Sequence, residues 1–199
     1  PNGDRVLDMC AAPGSKTTQI AQWTNNKGVI VALDEKLNRL KSLKNNLERL
    51  SITNTILYKK DARFVSDLKQ TFDKILLDAP CFNNYAAEKK FFEKSPLDIK
   101  LLAKRQRELL RAAIKVLNPG GILIYSTCSL EPEENELNID WLLSKYDVKL
   151  ENISLEVGSP GLTEVFGKKL NSSISKTKRL WPHLSNTQGF FIAKIKRLS

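Results

Sequence analysis

Each of the three cysteines in this chain, Cys10, Cys81 and Cys128, follows a short apolar run that predicts a buried strand. In open α/β sheets the carboxyl ends of parallel strands form one edge, and ligands bind there. A thiolate at that edge can act as a nucleophile, although a single free cysteine is more often a small buried hydrophobic residue. Because all three cysteines fall at the same kind of position, we predict that Cys81 and Cys128 are reactive.

The first cysteine opens a loop of small residues. Residues 5–9 predict a strand, residues 10–16 form the loop, and residues 17–23 predict a helix. In this arrangement the backbone and the helix N-terminus approach a nucleotide-like ligand closely. The loop contains a single glycine, Gly14, and matches neither the dinucleotide-binding fingerprint nor the Walker motif, so a pyrophosphate cradle is not expected.

Two aspartates follow the next predicted strands. Asp34 ends the apolar run 28–34, where it would accept hydrogen bonds from ribose hydroxyls or cap the following helix. Asp61 follows the short strand 55–58, where it would face the base of a cofactor or form a turn.

The elements that must position these residues alternate along the chain. Helical stripes of leucine cover residues 37–50 and 98–116, and further strands are predicted at 72–77, 121–125 and 188–195. The acidic run 131–136 predicts the start of another helix, where the helix dipole explains the carboxylates. Residues 148–178 are less regular and favour an insertion or a substrate-facing loop. At 199 residues, one α/β domain is expected.

The amino-acid composition indicates which classes of binding partner to expect. The net charge of +10 and a pI near 9.5 favour nucleic acid, although a solvated lysine-rich surface is the alternative. The basic and aromatic segment 89–94 is typical either of a nucleic-acid contact or of an anchored surface loop. One histidine and no paired cysteine motif predict no metal site, and no apolar run is long enough to cross a membrane.

The cysteine count predicts a cellular location, and the first residues of the chain predict that sequence is missing upstream. An odd number of cysteines without framework spacing predicts free thiols in a reducing compartment, and the cytoplasm is the expected location. The chain starts at Pro1 with neither an initiator Met nor a signal-peptide pattern, so we expect upstream sequence, including an RNA-binding segment, to be missing. A monomer is the default expectation.

Four segments, in this order, resemble the Sun/Fmu-like RNA (cytosine-5)-methyltransferases, which use S-adenosylmethionine. The matching segments cover essentially the whole chain and are residues 8–18 (DMCAAPGSKTT), 78–81 (DAPC), 125–136 (YSTCSL followed by EENE) and 181–191 (WPH and GFF).

The resemblance implies a Rossmann-like class I methyltransferase fold: a seven-stranded, mostly parallel sheet with an antiparallel last strand and helices on both faces. Cys128 would be the nucleophile that adds to carbon 6 of cytosine, and Cys81 would assist breakdown of the adduct. Asp78 would hydrogen-bond the target base and also lie beside the cofactor. Asp34 would bind the cofactor's ribose and Asp61 would lie near its adenine, while the rest of the cofactor would lie over the loop formed by Cys10, Ala11, Ala12, Pro13, Gly14, Ser15 and Lys16.

One departure from the family pattern leaves an alternative open. The family usually continues the Asp-Ala-Pro-Cys motif with Ser-Gly-x-Gly, whereas this chain has Phe82-Asn83-Asn84-Tyr85. An active methyltransferase on tRNA or rRNA is the main hypothesis, because Cys81, Cys128 and Asp78 are all present. The alternatives are a weakly active relative that serves as an RNA- or protein-binding scaffold, and a DNA methyltransferase in which Cys81 is the nucleophile.

Overall fold

A computed structural model describes residues 3–82 and 95–199 of the chain. The described strands are β1 (Arg5–Asp8), β2 (Val29–Asp34), β3 (Thr55–Lys59), β4 (Phe72–Asp78), β5 (Leu117–Thr127), β6 (Val148–Glu151), β7 (Ser159–Pro160), β8 (Glu164–Val165), β9 (Lys168–Lys169), β10 (Lys178–Leu180) and β11 (Phe190–Arg197). The described α-helices are α1 (Ser15–Trp23), α2 (Leu37–Arg49), α3 (Pro96–Val116), α4 (Glu136–Lys145) and α5 (Pro182–Ser185). Two 3₁₀ segments cover Ala62–Leu68 and Ser172–Lys176.

The main sheet runs in the order β3-β2-β1-β4-β5-β11-β10-β7, and β6 pairs with the second half of β11. The five neighbouring strands β3, β2, β1, β4 and β5 are parallel to one another, and β11 is antiparallel to β5. The expected class of fold, a mostly parallel sheet with an antiparallel last strand, is confirmed. Its parallel half places the carboxyl ends of β1, β2, β4 and β5 along one edge.

The sequence of β2 shows why helices cover both faces of this sheet. Its residues are almost all apolar, as expected for a parallel strand buried on both sides. Val31 and Leu33 join the core that contains α3, while Ala32 packs with α2 and Ile30 packs against Ala21 of α1. Alternate side chains of one strand therefore hold helices on opposite faces.

The sheet is wider than expected. Within the described residues it contains nine strands, of which β1 to β6 and β11 correspond to the seven that the family fold implies. The two additional strands, β7 and β10, lie in the segment that the sequence predicted as an insertion or a loop. They are two and three residues long, and the residue that β10 buries is Arg179, so no apolar alternation marks them.

The acidic run 131–136 was predicted to start a helix, and only its last residue belongs to one. Helix α4 begins only at Glu136, after a turn, and both Glu134 and Glu136 are fully buried. The guanidinium of Arg179, also buried, donates to the Glu136 carboxylate at 2.6 and 2.5 Å. Glu136 lies in the first turn of α4, as predicted, whereas Glu134 precedes the helix; both carboxylates have partners far away in the sequence.

Candidate active site

A cavity of about 310 Å³ opens at the carboxyl ends of β1, β4 and β5. The predicted residues that line it are Cys10, Ala11, Ala12, Pro13, Ser15 and Lys16 from the first loop, together with Asp78, Cys81 and Cys128. The register explains the convergence, because Asp78 of β4 lies opposite Ser126 of β5 and each chain then turns into the loop that carries a cysteine. Residues separated by 47 positions therefore meet at one edge of the sheet.

The Cys81 and Cys128 sulfur atoms form a disulfide, with their Cα atoms 6.2 Å apart. The Cys128 backbone N–H donates to the Cys81 sulfur at 3.1 Å. The predicted convergence is present, but the expectation of free thiols is wrong for this pair. A disulfide sulfur is not a nucleophile, so either cysteine can attack a substrate only after reduction.

Asp78 is held between two side chains. Lys16 donates to one carboxylate oxygen at 2.6 Å, and the Ser126 hydroxyl donates to the other at 2.7 Å. The Lys16 ammonium also lies 5.6 Å from the centre of the Phe190 ring. Lys16 was predicted only as part of the cofactor loop, whereas the structure makes it the direct partner of Asp78.

Asp8 lies at the end of β1 and was missed by the sequence analysis. Its Oδ2 accepts a hydrogen bond from the Thr17 hydroxyl at 2.7 Å, while its Oδ1 is buried at the cavity without any hydrogen-bond partner among the described residues. Burial raises the pKa of Asp8 to about 6, although the Thr17 hydrogen bond opposes the rise. The available signal was its position, an acidic residue that ends a strand immediately before the loop.

Helix α2 holds the loop that follows β1. Asn46 donates to the Pro13 carbonyl at 2.9 Å, and the Arg39 guanidinium donates to the Ala12 carbonyl. Arg39 also lines the cavity, which the sequence did not indicate. These contacts fix the loop backbone against the helix.

Gly14 does not line the cavity, but it directly precedes α1, whose N-terminus faces the cavity. Its φ of 113° is a conformation that L residues rarely adopt, and a Cβ there would overlap the Leu43 side chain. Helix α1 then starts at Ser15 without a side-chain cap. Because Ser15 lines the cavity, the positive end of the α1 dipole faces it.

The two other predicted aspartates line an adjoining cavity. Asp34 is buried, accepts a hydrogen bond from the Lys36 N–H at 2.9 Å and lies 3.4 Å from the Arg39 guanidinium. Asp34 therefore holds the turn before α2 and also faces the cavity, but it is not the cap of α2, since Lys36 occupies the cap position and the helix has no side-chain cap. Asp61 lies at the same cavity, where hydrogen bonds from Arg63 lower the pKa of its carboxyl.

Cys10 is the free cysteine of the described chain, and the structure gives it no nucleophilic character. Burial, with Asp8 and Asp34 nearby, raises the pKa of its thiol well above the ordinary value. A thiol that stays protonated at neutral pH does not attack carbon.

Some predictions concern residues outside the described ranges. Phe82 is buried, but Asn83–Tyr85 and the basic segment 89–94 lie outside 3–82 and 95–199. Within those ranges, no group of three or more histidine, cysteine or acidic side chains could hold a metal ion. None of the described helices combines the length and apolar character that a membrane crossing requires.

Comparison with known proteins places the chain in a family. The family model for the 16S rRNA methyltransferase RsmB/F matches residues 1–196. A tRNA (cytosine(72)-C(5))-methyltransferase of Pyrococcus horikoshii is 44% identical over 98% of this chain and 47% of its own length. A 28S rRNA (cytosine-C(5))-methyltransferase of Mus musculus is 42% identical over 98% of this chain and 26% of its own length.

A solved structure supports the same family assignment. The crystal structure of a methyltransferase homolog protein from Pyrococcus horikoshii has a TM-score of 0.89 and 46% identity, and the match covers 99% of this chain and 62% of that one. This chain thus spans half or less of the length of the two relatives described above. The resemblance found in the motifs is confirmed, and the chain belongs to the RsmB/F family of RNA methyltransferases.

Proposed function

We propose that this chain is the catalytic domain of an RNA methyltransferase that transfers a methyl group from S-adenosylmethionine to carbon 5 of cytosine. The observation that carries the proposal is the convergence of Cys81, Cys128 and Asp78 at one cavity, beside the loop that follows β1. The activities of the relatives support the same reaction.

The residues at the cavity suit S-adenosylmethionine, which would supply the methyl group. The unpartnered Oδ1 of Asp8 is an acceptor for the ligand's ammonium group, and the N-terminus of α1 favours its carboxylate. Asp34 and Asp61, at the adjoining cavity, provide acceptors for ribose hydroxyls and for an adenine amino group. The lining of the two cavities therefore offers an acceptor for a cation, a helix N-terminus for an anion and acceptors for sugar hydroxyls.

The cysteines would make carbon 5 of cytosine reactive enough to accept a methyl group. This carbon is a weak nucleophile, and addition of a thiolate at carbon 6 makes it electron-rich. By the family resemblance, Cys128 forms that bond, and Cys81 assists its cleavage after the carbon 5 proton has been removed. Asp78, with Lys16 bound to it, provides polar groups for the edge of the base.

The disulfide sets a condition for this chemistry. Cys128 must be reduced before it can add to the base. We expect methyl transfer to require a thiol reductant. Alkylation followed by mass spectrometry should find Cys81 and Cys128 labelled only after reduction.

Cysteine replacement tests the proposal. With in vitro transcribed tRNA or rRNA fragments and S-adenosylmethionine, Cys128→Ala should reduce methyl transfer to background. Cys81→Ala should instead accumulate a protein–RNA adduct that survives a denaturing gel. Cys10, the third cysteine at this cavity, is unchanged in both variants, so a difference between them reports on Cys81 and Cys128.

The opposite results discriminate among the alternatives. If Cys81→Ala abolishes the adduct and Cys128→Ala does not, the roles are reversed, as in the DNA methyltransferase hypothesis. If the protein binds S-adenosylmethionine but methylates no RNA, the scaffold hypothesis is favoured.

The substrate class follows from charge and from the relatives. A net charge of +10 suits a polyanion, and the relatives act on tRNA and on rRNA. We propose that the substrate is one of these two RNAs. Bisulfite sequencing of RNA from cells with and without the gene would identify the cytosine.

A further inference from the structure

The backbone on both sides of Cys81 is held by two buried side chains. Gln106 of α3 donates its side-chain N–H to the Pro80 carbonyl at 2.9 Å. The Phe82 N–H donates to the Glu134 carboxylate at 3.1 Å. Gln106 and Glu134 are both fully buried, and Gln106 also donates to Glu134 at 2.6 Å. The peptide groups that flank Cys81 are therefore fixed by one hydrogen-bonded pair.

A second layer fixes the orientation of that pair. Arg107 donates to the Asn138 side-chain oxygen at 2.8 Å, so the Asn138 amide nitrogen faces the other way. That nitrogen donates to the side-chain oxygen of Gln106 at 2.9 Å. The Gln106 amide nitrogen is consequently directed to Pro80 and Glu134, and a flipped amide would place two donors against each other.

The same acidic run also holds the loop that carries Cys128. Asn135, the neighbour of Glu134, makes the contacts to this loop. Asn135 accepts a hydrogen bond from the Thr127 hydroxyl at 2.5 Å and donates to the Ser129 carbonyl at 2.9 Å. Thr127 and Ser129 flank Cys128 in the sequence. Two adjacent residues therefore hold the residue that follows each cysteine, Glu134 at Phe82 and Asn135 at Ser129.

We infer that Glu134 is a positioning residue: it binds the Phe82 N–H beside Cys81, while its neighbour Asn135 binds Ser129 beside Cys128, and this sets the distance between the two sulfur atoms. This inference deepens the proposed function, on which its catalytic meaning rests. In the reaction, Cys81 can assist release of the base from Cys128 only while the two sulfurs remain neighbours. Loss of the Glu134 contacts therefore impairs release of the adduct more than its formation.

Two conservative variants separate geometry from charge. Glu134→Gln keeps the side-chain length, and its carbonyl oxygen can still accept from Phe82 and Gln106. Glu134→Asp keeps the charge but is shorter by one methylene, so it cannot reach the Phe82 N–H and the Gln106 amide from the same backbone position. Positioning predicts that the Gln variant resembles the wild type and the Asp variant does not, whereas a purely electrostatic role predicts the reverse.

The first measurement needs neither RNA nor cofactor. The protein containing this chain is equilibrated with reduced and oxidised glutathione, so that two thiols and one glutathione disulfide give the protein disulfide and two reduced glutathiones. Mass spectrometry of the alkylated protein gives the ratio of disulfide to dithiol protein. With the glutathione concentrations, this ratio gives the effective concentration of the Cys81 sulfur at the Cys128 sulfur. We expect Glu134→Asp to lower it by about tenfold or more, the effect of losing one buried hydrogen bond, and Glu134→Gln to stay within about threefold of the wild type.

The second measurement follows the adduct on in vitro transcribed tRNA or rRNA fragments. Glu134→Asp should accumulate the covalent complex as Cys81→Ala does, and combining the two changes should add little. Leu142→Ala is the matched control, because it destabilises the same region through an apolar cavity without removing any of these hydrogen bonds. At equal loss of unfolding free energy, Leu142→Ala should not accumulate the complex.

An unchanged effective concentration in Glu134→Asp would overturn the inference, as would equal behaviour of Glu134→Asp and Leu142→Ala. If Glu134→Asp does not fold, Gln106→Met removes the donor to Pro80 and must lower the effective concentration instead. Failure of Cys81→Ala to accumulate an adduct would refute the proposed roles of the cysteines, while the glutathione equilibrium would still decide the positioning role of Glu134.

Discussion

Replacing Asp8 with asparagine should make the protein more stable and bind its cofactor less tightly. The Asp8 carboxyl is fully buried, and its Oδ1 has no partner within the described residues. Asparagine has nearly the same shape and can still accept the Thr17 hydrogen bond, but it carries no charge. The substitution therefore isolates the cost of ionising this buried group.

The magnitude follows from the pKa. Burial raises the pKa of Asp8 from 3.8 to about 6, so ionisation in the folded state costs about 3 kcal/mol, at about 1.4 kcal/mol per pH unit. Below about pH 4 the carboxyl is protonated in both states and the cost is absent. Between about pH 4 and pH 6 the unfolded chain loses its proton first, so the contribution of Asp8 to stability falls as pH rises. Above that window the cost stays constant.

Urea unfolding of wild type and Asp8→Asn from pH 4 to pH 8 measures this effect as a difference between two curves. The advantage of the variant should grow by about 3 kcal/mol between pH 4 and pH 7 and then level off. Calorimetric titration with S-adenosylmethionine should show affinity at least about tenfold weaker, because a charged acceptor has been lost. Parallel stability curves, or unchanged affinity, would refute our account of Asp8.

Three further variants test other contacts. Arg179→Met should lower the free energy of unfolding by about 3–5 kcal/mol because Glu136 is left charged and unpaired in the core, and addition of Glu136→Leu should restore part of the loss in urea unfolding. Gly14→Ala should destabilise by about 2–4 kcal/mol, through its positive φ and its overlap with Leu43, and a folded variant with unchanged thermal stability would contradict this. Asp34→Asn should keep stability within about 1 kcal/mol, since its side-chain oxygen can still accept from the Lys36 N–H and its ion-pair partner Arg39 is half-exposed, yet weaken S-adenosylmethionine binding about tenfold by titration.

The sheet could be predicted largely from local pattern. Runs such as residues 28–34 are apolar throughout because parallel strands are buried on both faces, and that signal needs no knowledge of neighbours. The strand β10 could not be predicted, since its buried side chain is Arg179, whose burial depends on Glu136 43 residues away. Only the folded chain supplies that partner.

The site was predictable to the level of which residues converge. Strand ends located Cys81, Cys128, Asp78 and the first loop, because the edge of a parallel sheet collects them. The hydrogen bonds that orient them were not predictable, as Glu134 reaches Phe82 across 52 positions without any periodic signal. The odd cysteine count also argued against the disulfide, which depends on side-chain distance and not on number.

The pairing of β4 with β5 limits where this chain can vary in length. Asp78 lies opposite Ser126, and the cysteines follow three and two residues later, so neither connection has slack. One inserted residue would move a sulfur by about 3 Å along its chain and separate the two cysteines at the cavity. We therefore expect insertions and deletions to be lethal to activity between Asp78 and Cys81 or between Ser126 and Cys128, and to be tolerated at the exposed turn between β8 and β9.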